Sequence, residues 1–300
     1  MPRITVVTTT YNRKELLERL FASLKGQTDQ YFTWVVVDDG STDATEAFMT
    51  DVIRERCGLD IRFDRLDNGG KCRALNHAFR EYRQTDLFVV VDSDDYLLSD
   101  AIETIRRKAF QYMDADDVGA ICFRYVDQDG RILGGNRDSH EGDVVLNRYE
   151  YDSQYKKYDG CMSYFRRVTD HYSYPEFPGE TYIGPTVLQM IMAVRYQIAF
   201  TNGIVGVAEY QTDGLLRIGR KYRMANPLGM IEYCGLMRRN SVRLVARYKY
   251  AVMAQAYAHL AGLDRQSIER NGIDPVSLRA YARPLGILLA GYWKIRYARQ

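Results

Sequence analysis

Three carboxylates follow one short apolar segment, at Asp92, Asp94 and Asp95. The segment Leu87–Val91 is rich in valine, which is typical of a strand covered on both faces. Because unpaired carboxylates are costly to bury, these side chains must lie just beyond the carboxyl end of the strand, where ligands bind in open α/β sheets. Asp92 and Asp94 can reach one cation together, and their hard oxygens suit Mg²⁺ or Mn²⁺. An acidic turn that caps the next helix explains the same residues equally well.

Strands and helices alternate over the first part of the chain. The predicted strands are Arg3–Thr10, Trp34–Val37, Ile61–Arg65 and Leu87–Asp92. The predicted helices between them are Arg13–Lys25, Ala44–Arg56 and one that begins at Lys71 and runs through Phe79. This alternation with short connections predicts an α/β fold, with a mostly parallel sheet and helices on both faces.

Each of these strands ends in polar or glycine-bearing residues. The strand ends are Thr9–Tyr11, Asp38-Asp39, Asn68–Lys71 and Asp92–Asp95. Because the carboxyl ends of parallel strands meet at one edge, we expect these residues to line a single crevice. Lys71 follows two glycines at a helix start, where backbone N–H groups and a flexible cation favour phosphate, although an ordinary surface lysine is the alternative. Neither a Walker A sequence nor Gly-x-Gly-x-x-Gly occurs there, which disfavours P-loop and dinucleotide-binding proteins.

The composition is that of a globular protein, with 46% hydrophobic and 27% charged residues among 300. This length suffices for one large domain, or for one domain with an extension. Five cysteines without a CxxC pair predict a reduced, cytoplasmic protein without structural zinc. The first strand leaves no room for a signal peptide, and no apolar run approaches the ~18 residues of a spanning helix.

The net charge of +2 conceals a strong asymmetry. Residues 217–300 carry 16 Lys and Arg against 4 Asp and Glu, a net charge of +12, and residues 1–216 carry the remaining −10. We therefore divide the chain into a domain at 1–216 and a basic helical C-terminal extension at 217–300. A basic tail on an acidic body predicts an anionic partner for the tail. We expect no nucleic acid partner.

The short motifs occur in a characteristic order along the chain. They are Thr10-Tyr11-Asn12, Gln27-Thr28, Val37–Asp43, Asn68–Lys71 with Ala74–Asn76, and Asp92–Asp95. As a set they resemble the motifs of family 2 glycosyltransferases, which are inverting enzymes of the GT-A fold. Two later segments also look like that family, Phe177–Glu180 and the pair Tyr210–Leu215 with Asn226-Pro227. Between Tyr125 and Pro175 the resemblance is weak.

The resemblance implies a GT-A catalytic domain at 1–216, with a nucleotide-binding half at 1–100 and an acceptor half at 101–216. It implies transfer of a sugar from a nucleotide-sugar donor, a UDP-sugar, to an acceptor hydroxyl with inversion, in polysaccharide or glycolipid biosynthesis. Processive synthases of this family carry spanning helices and a Gln-x-x-Arg-Trp signature. Since this chain has neither, the implied enzyme is non-processive.

The resemblance also assigns roles to the nucleotide-binding residues. Asp94 would ligate Mn²⁺ or Mg²⁺, and Asp92 would hold the ribose or a metal-bound water. Asp39 resembles the carboxylate that accepts the uracil ring N–H, although it could also accept from thymine or guanine, or merely cap the next helix. Thr9 and Tyr11 would contact the base, with tyrosine stacking as the main contribution.

Inversion requires a general base beside the acceptor hydroxyl. Glu180 is the candidate, because it follows a Phe-Pro-Gly turn in the segment that resembles the family's later acidic motif. Asp152, Asp159 and Asp170 are the alternatives for this role. A Glu180 that only caps a helix is the competing structural explanation.

Two other functions use similar residues. A sugar-phosphate nucleotidyltransferase should carry a glycine-rich, arginine-bearing loop after the first strand, and the residues at 8–13 are Thr-Thr-Thr-Tyr-Asn-Arg. A non-catalytic sugar-nucleotide-binding relative would not need Asp39, Asp92 and Asp94 all in place.

The C-terminal extension is predicted to contain a helix at Tyr233–Leu260 and a final helix with an apolar stripe. The stripe consists of Leu285, Leu288, Leu289, Tyr292 and Ile295. With Trp293 and the basic flank, it fits a helix lying in an anionic membrane surface. Packing on the catalytic domain or on a second subunit explains the stripe equally well.

A membrane location would suit a lipid-linked acceptor, although a saccharide acceptor is also open. Four basic residues, Arg217, Arg220, Lys221 and Arg223, would then contact acceptor phosphates. We therefore expect a cytoplasmic protein, peripheral on the inner face of the membrane.

Overall fold

The computed structural model describes residues 1–55, 58–133, 140–155, 160–209, 215–241 and 243–297, with side chains at 215–218 outside that description. Its chain forms two compact units, one of residues 1–173 with 192–211 and one of residues 174–191 with 212–300. Residues 174–191, which the sequence analysis placed in the domain at 1–216, group here with the C-terminal helices.

The described part of the first unit is built on one mixed sheet. Its strands are β1 (Ile4–Thr10), β2 (Phe32–Asp38), β3 (Asp60–Arg65), β4 (Leu87–Val90), β5 (Tyr96–Leu97), β6 (Val118–Val126), β7 (Val144–Leu146), β8 (Met162–Phe165) and β9 (Gln197–Val207). Their order is β3-β2-β1-β4-β8-β6-β9-β5, with β7 also on β9. Strands β1 to β4 are parallel, as predicted. Strand β8 runs antiparallel to both β4 and β6, so it is a single reversed strand between them, and β6 and β9 run in the same direction as β1 to β4.

Helices cover both faces of this sheet. The helices of the first unit are α1 (Lys14–Lys25), α2 (Thr45–Arg54), α3 (Lys71–Glu81), α4 (Ala101–Tyr112), α5 (Arg148–Gln154) and α6 (Arg166–Thr169), and α7 (Val187–Met192) ends at the boundary between the units. Val89 packs in a buried cluster with Leu17 and Leu20 of α1. Its neighbour Phe88 points to the opposite face and packs against Phe79 of α3, with ring centroids 5.0 Å apart.

The second unit is helical. Its helices are α8 (Leu215–Ala225), α9 (Pro227–Asn240), α10 (Leu244–Ala261), α11 (Arg265–Arg270) and α12 (Arg283–Tyr297), with 3₁₀ turns at Pro275–Ser277 and Ala280–Ala282. The prediction of one helix over Tyr233–Leu260 is wrong. Ser241 and Arg243 have extended backbones that separate α9 from α10. The polar pair Asn240-Ser241 is typical of a helix end, but the apolar periodicity on both sides of it favoured one continuous helix.

The final helix places its apolar residues on two faces. Gly286, Ala290 and Trp293 are buried, and Leu289 packs against the same cluster. The indole of Trp293 lies 5.0 Å from the ring of Tyr257 in α10, so its predicted position in a membrane interface is wrong. The other members of the stripe remain exposed: Leu285, Leu288, Tyr292 and Ile295 at 44%, 68%, 51% and 77%. Within the described ranges, no helix is both long and apolar enough to cross a bilayer.

Candidate active site

The loops after β1 and β2 are tied together by the backbone and side chain of Asn12. Asn12 has a left-handed backbone (φ +52°), and its N–H donates to Ser41 Oγ at 2.8 Å. Its Oδ1 accepts from the N–H of Thr42 at 2.7 Å and of Asp43 at 3.3 Å. The carboxyl ends of β1 and β2 therefore form one structure.

The residues predicted to contact the nucleotide base lie at the end of β1. Thr9 is half-buried, and Tyr11 is 47% exposed. The carbonyl of Thr10 accepts from the N–H of Asp39 at 2.9 Å, which brings the end of β2 alongside. Tyr11 is thus exposed at the end of β1, where its ring is accessible for stacking.

Asp39 is buried and bound by the loop that precedes α3. Its two carboxylate oxygens accept from the N–H of Gly69 and of Gly70, each at 2.8 Å, and Asn68 Nδ2 donates at 3.2 Å. Burial raises the pKa of Asp39 above its usual value, and the hydrogen bonds from Gly69 and Gly70 offset this only in part. The loops are also closely packed, since a Cβ added to Gly40 (φ +82°) would lie 2.8 Å from the backbone nitrogen of Asn68.

Lys71, the first residue of α3, binds Asp92. Its Nζ lies 2.5 Å and 2.6 Å from the two carboxylate oxygens of Asp92. Burial alone would lower the pKa of Lys71, but the charge and hydrogen bonds of Asp92 outweigh it and raise that pKa above its usual value. Both side chains keep some exposure, 25% for Lys71 and 42% for Asp92, so a ligand can reach them.

Asp94 is held by two arginines of the first helix region. Arg13, just before α1, places its NH1 2.6 Å from Asp94 Oδ2. Arg19 in α1 donates from NH2 to the backbone carbonyl of Asp94 at 2.5 Å, and its NH1 pairs with Glu209 at 2.6 Å.

The carboxylates of Asp92 and Asp94 fit a divalent cation that is shared with a substrate. In the described ranges, no group of three or more His, Cys, Asp or Glu side chains is arranged to hold a metal. Both carboxylates do bind positively charged nitrogens, Asp92 that of Lys71 and Asp94 that of Arg13, so each already has a cationic partner. Mg²⁺ and Mn²⁺ sites of this kind take one or two carboxylates and complete their coordination with phosphate and water.

Six predicted residues are thus brought to one edge of the sheet. They are Thr9, Tyr11, Asp39, Lys71, Asp92 and Asp94. The edge combines an accessible aromatic ring, a buried carboxylate and two carboxylate–cation pairs. These groups can respectively stack on a base, accept its N–H and hold a diphosphate with its counter-ion.

Glu180 lies in the second unit, where it caps α9. Its two oxygens accept from the N–H of Leu228 at 2.7 Å and of Gly229 at 2.8 Å, two donors that the first helical turn leaves free. Asn226 Oδ1 accepts from the N–H of Thr181 at 2.8 Å and of Tyr182 at 3.0 Å, which fixes the residues that follow Glu180. Burial raises the pKa of Glu180 above its usual value, against the effect of the two hydrogen bonds.

The alternative bases are engaged in ion pairs. Asp152 lies 3.0 Å from Arg148, and both side chains are largely buried. Asp170 pairs with Arg83 at 2.7 Å and with Arg166 at 3.0 Å. Asp159 lies outside the described residues.

The four basic residues predicted to contact acceptor phosphates differ in their surroundings. Arg220 NH1 donates to Tyr257 Oη at 2.6 Å, and its guanidinium lies 4.3 Å from the centre of the Trp293 ring. Arg220 therefore packs among the helices of its own unit. Lys221 is exposed and Arg223 is half-buried. The side chain of Arg217, like residues Tyr210–Gly214 of the later motif, lies outside the description.

Sequence reasoning overlooked Arg13, Arg19 and Asn226. Arg13 directly follows the Thr-Tyr-Asn motif, so its position beside the crevice was a usable signal. The contact of Arg19 with Asp94 joins residues 75 positions apart, and no local pattern predicts it. Asn226 was recognised only as part of a motif, and its hydrogen bonds to the loop at Thr181 and Tyr182 were not foreseen.

Comparisons with known proteins identify the family of the chain. The model of the family "Glycosyl transferase family 2" matches residues 5–173. The chain is 38% identical over 103 residues to a teichoic acid poly(glycerol phosphate) polymerase of Staphylococcus epidermidis, over 34% of this chain and 14% of that protein. It is 30% identical over 113 residues to a Campylobacter jejuni GalNAc(5)-diNAcBac-PP-undecaprenol beta-1,3-glucosyltransferase, over 36% of this chain and 35% of that protein. The chain thus spans only a minor part of these relatives.

Solved structures share the fold over nearly the whole chain. S. aureus TarS 1-349 in complex with UDP-GlcNAc superposes with a TM-score of 0.59 at 17% identity, covering 99% of this chain and 92% of that one. The mannosyltransferase PcManGT of Pyrobaculum calidifontis, in complex with GDP-Man and Mn²⁺, gives a TM-score of 0.58 at 18% identity, covering 100% and 88%. The predicted GT-A fold is confirmed. Since the family model matches more than half of the 300 residues, the chain belongs to glycosyl transferase family 2.

Proposed function

We propose that this protein transfers a sugar from a UDP-sugar to an acceptor hydroxyl, one residue at a time and with inversion. The acceptor oxygen forms a bond to the anomeric carbon, the bond from that carbon to the phosphate oxygen breaks, and UDP leaves. The observation that carries the proposal is the convergence of Tyr11, Asp39 and the Asp92–Asp94 pair at one edge of the sheet.

Asp39 is proposed to recognise the base. An ionised carboxylate has about four acceptor positions, and three are used by Asn68, Gly69 and Gly70. The remaining capacity suits the single ring N–H of uracil, while Tyr11 stacks on the ring and Thr9 lies beside it. The complex of TarS with UDP-GlcNAc supports UDP as the donor nucleotide.

Asp94 and Asp92 are proposed to hold Mn²⁺ or Mg²⁺ with the donor. A divalent cation would supply charge neutralisation for the leaving diphosphate. The protein's part is to present the two carboxylates at the end of β4 and to keep Lys71 beside the phosphates. The Mn²⁺ complex of the Pyrobaculum enzyme supports this assignment.

Glu180 is proposed to accept the proton of the acceptor hydroxyl. Its carboxylate is fixed by the start of α9, and burial raises its pKa towards the range that suits a general base. Capping and catalysis are compatible, since two hydrogen bonds leave acceptor positions on both oxygens.

The acceptor is proposed to be a saccharide or a lipid-linked saccharide of polysaccharide or glycolipid biosynthesis. The Campylobacter relative, whose name includes an undecaprenol-linked acceptor, supports the lipid-linked form. Lys221 and Arg223, together with Arg217, are proposed to contact acceptor phosphates. Arg220 lies on the same helix, α8, and is also proposed to contact acceptor phosphates. In the structure its guanidinium donates to Tyr257 Oη.

The outer face of α12 is proposed to rest on the cytoplasmic surface of an anionic membrane. Leu288, Tyr292 and Ile295 form an exposed apolar row. Because a helix turns once every ~3.6 residues, Lys294 and Arg296 fall on opposite sides of this row. No acidic residue follows Asp274 in the sequence. An apolar row between two cations fits a helix that lies in the plane of anionic headgroups.

Flotation with liposomes tests this part of the proposal. The protein should float with anionic vesicles and be released by salt, and Leu288→Asp should abolish flotation. Phe110→Asp is the matched control, because Phe110 is 67% exposed on α4 of the first unit. Equal recovery with anionic and neutral vesicles would refute a charge-dependent membrane contact, and self-association lost in Leu288→Asp would identify a second copy as the partner instead.

A thermal-shift screen of sugar nucleotides with Mn²⁺ tests the catalytic part. A donor that binds only the native state raises the unfolding temperature by mass action, so UDP-sugars should do so and CDP-sugars should not. Binding without turnover on saccharide and lipid-linked acceptors would indicate a non-catalytic relative. No shift with any UDP-sugar would refute the assigned donor.

A further inference from the structure

The arrangement around Asp94 has a feature that the proposed reaction does not explain. The carboxylate assigned to the metal is paired with Arg13 at 2.6 Å, and Asp92 is paired with Lys71 on both oxygens. A divalent cation that binds Asp94 through the same oxygen therefore competes with the guanidinium of Arg13. The arginine needs a second partner once it is displaced.

The backbone of Arg13 is fixed, while its side chain is partly exposed to solvent. Asn12 is anchored to the loop after β2 through Ser41 and Thr42, and α1 begins directly after Arg13. The side chains of Arg13 and Asp94 are 20% and 19% exposed. Contact with solvent on this scale allows a ligand to reach the pair, and it leaves room for a change of rotamer.

Charge neutrality indicates where the guanidinium goes. Without ligands, Asp92 and Asp94 balance Lys71 and Arg13. A nucleotide-sugar brings one negative charge on each of its two phosphates, and its divalent cation brings the balancing positive charges. If the metal takes Asp94, the diphosphate is the adjacent anion, and the planar guanidinium suits phosphate oxygens through paired hydrogen bonds.

We propose that Arg13 has two successive partners: it holds Asp94 in the metal-free site and binds the donor diphosphate once a divalent cation occupies Asp94. This inference rests on the proposed function, since it presumes a nucleotide diphosphate and a metal at this edge. It adds Arg13 as a donor-binding residue and makes the metal compete with a protein cation.

Two binding measurements on Arg13→Gln test the proposal, and they should change in opposite directions. In the first, Mn²⁺ binding is titrated without nucleotide by electron paramagnetic resonance of the free ion. Removal of the competing Arg13 guanidinium should tighten Mn²⁺ binding by about fivefold. This factor corresponds to the free energy of the stronger partly exposed ion pairs. In the second, UDP binding is measured by calorimetry at saturating Mn²⁺, and it should weaken by about tenfold or more. Uridine binding should not change.

Lys14→Gln is the matched control. It removes the same charge from the adjacent position, but Lys14 pairs with Glu18 on the surface of α1 at 2.7 Å. Neither affinity should change in this variant. Arg13→Lys keeps a cation near Asp94 and should retain Mn²⁺ binding close to that of the original protein.

The outcomes separate this inference from the proposed function. If the unsubstituted protein binds no UDP, the proposed function itself is refuted. If UDP binds but Arg13→Gln binds Mn²⁺ no more tightly than Lys14→Gln, Arg13 does not compete with the metal. If Mn²⁺ binding tightens but UDP binding is unchanged, the diphosphate is not the second partner. A loss of both affinities with a lowered unfolding temperature would show that Arg13 only stabilises the loop.

Discussion

Replacement of Glu180 by glutamine separates its role as a helix cap from its proposed role as a base. The glutamine amide has one acceptor oxygen, so the N–H of either Leu228 or Gly229 loses its partner. A buried donor without a partner costs about 1–3 kcal/mol. Because burial disfavours the charged carboxylate, as its raised pKa shows, a neutral side chain recovers part of this cost. We expect a net loss of about 1 kcal/mol in the free energy of unfolding, or a fall of ~2–4 °C in unfolding temperature.

The expected catalytic loss is much larger than the loss of stability. Removal of a general base should lower kcat by roughly 10²–10⁴, while the affinity for UDP should remain unchanged. Both quantities are measurable on the same preparation, with kcat at saturating donor and acceptor and with UDP affinity by calorimetry.

Asn226→Ala provides the comparison for the Glu180→Gln variant. This change removes the acceptor for the N–H groups of Thr181 and Tyr182, so it loosens the same loop but leaves the carboxylate of Glu180 in place. We expect a similar or larger loss of stability with a fall in kcat of less than about tenfold, since no proton acceptor is removed. If Glu180→Gln loses no more kcat than Asn226→Ala, Glu180 is only a cap.

Three further predictions concern the metal ion, recognition of the nucleotide base and the pH dependence of kcat. Asp94→Asn should abolish transfer without changing the unfolding temperature greatly, and normal turnover of this variant in EDTA would contradict a metal at Asp94. Asp39→Ala should weaken UDP binding by roughly 1.5–3 kcal/mol, measured by calorimetry against Asn68→Ala, which removes only a neighbour of that carboxylate. A general base acts in its ionised form, and burial raises the pKa of Glu180. As the pH decreases, kcat should therefore fall with a midpoint above 4.5, the pKa of an ordinary glutamate. A kcat that stays constant down to pH 4.5 would argue against Glu180 as the general base.

The strands around the crevice were predictable because their signals are local. Apolar runs such as Trp34–Val37 end in polar residues, and parallel strands bring those ends together whatever the details of packing. The structure accordingly places Asp39, Lys71 and Asp94 along one edge, as expected from the sequence.

The partners of these side chains were not predictable from the same signals. The hydrogen bonds of Asp39 to Gly69 and Gly70 and the pair of Arg13 with Asp94 join residues about thirty to eighty positions apart. A sequence pattern predicts which residues lie at an edge, but the choice between neighbouring cations depends on rotamers and on the tilt of α1. The division of the α12 stripe had the same origin, since periodicity identifies an apolar face without indicating which neighbour covers it.

The shared side chain of Asn12 has a consequence for hydrogen exchange. The amides of Thr42 and Asp43 are protected by an oxygen that belongs to the other loop, so their exchange with deuterium requires that the two loops separate. A ligand that orders the loop after β1 should therefore slow amide exchange in the loop after β2, even if it never touches Thr42 or Asp43. In Asn12→Ala, the amides of Thr42 and Asp43 should lose this protection, although the backbone N–H of residue 12 still donates to Ser41 Oγ.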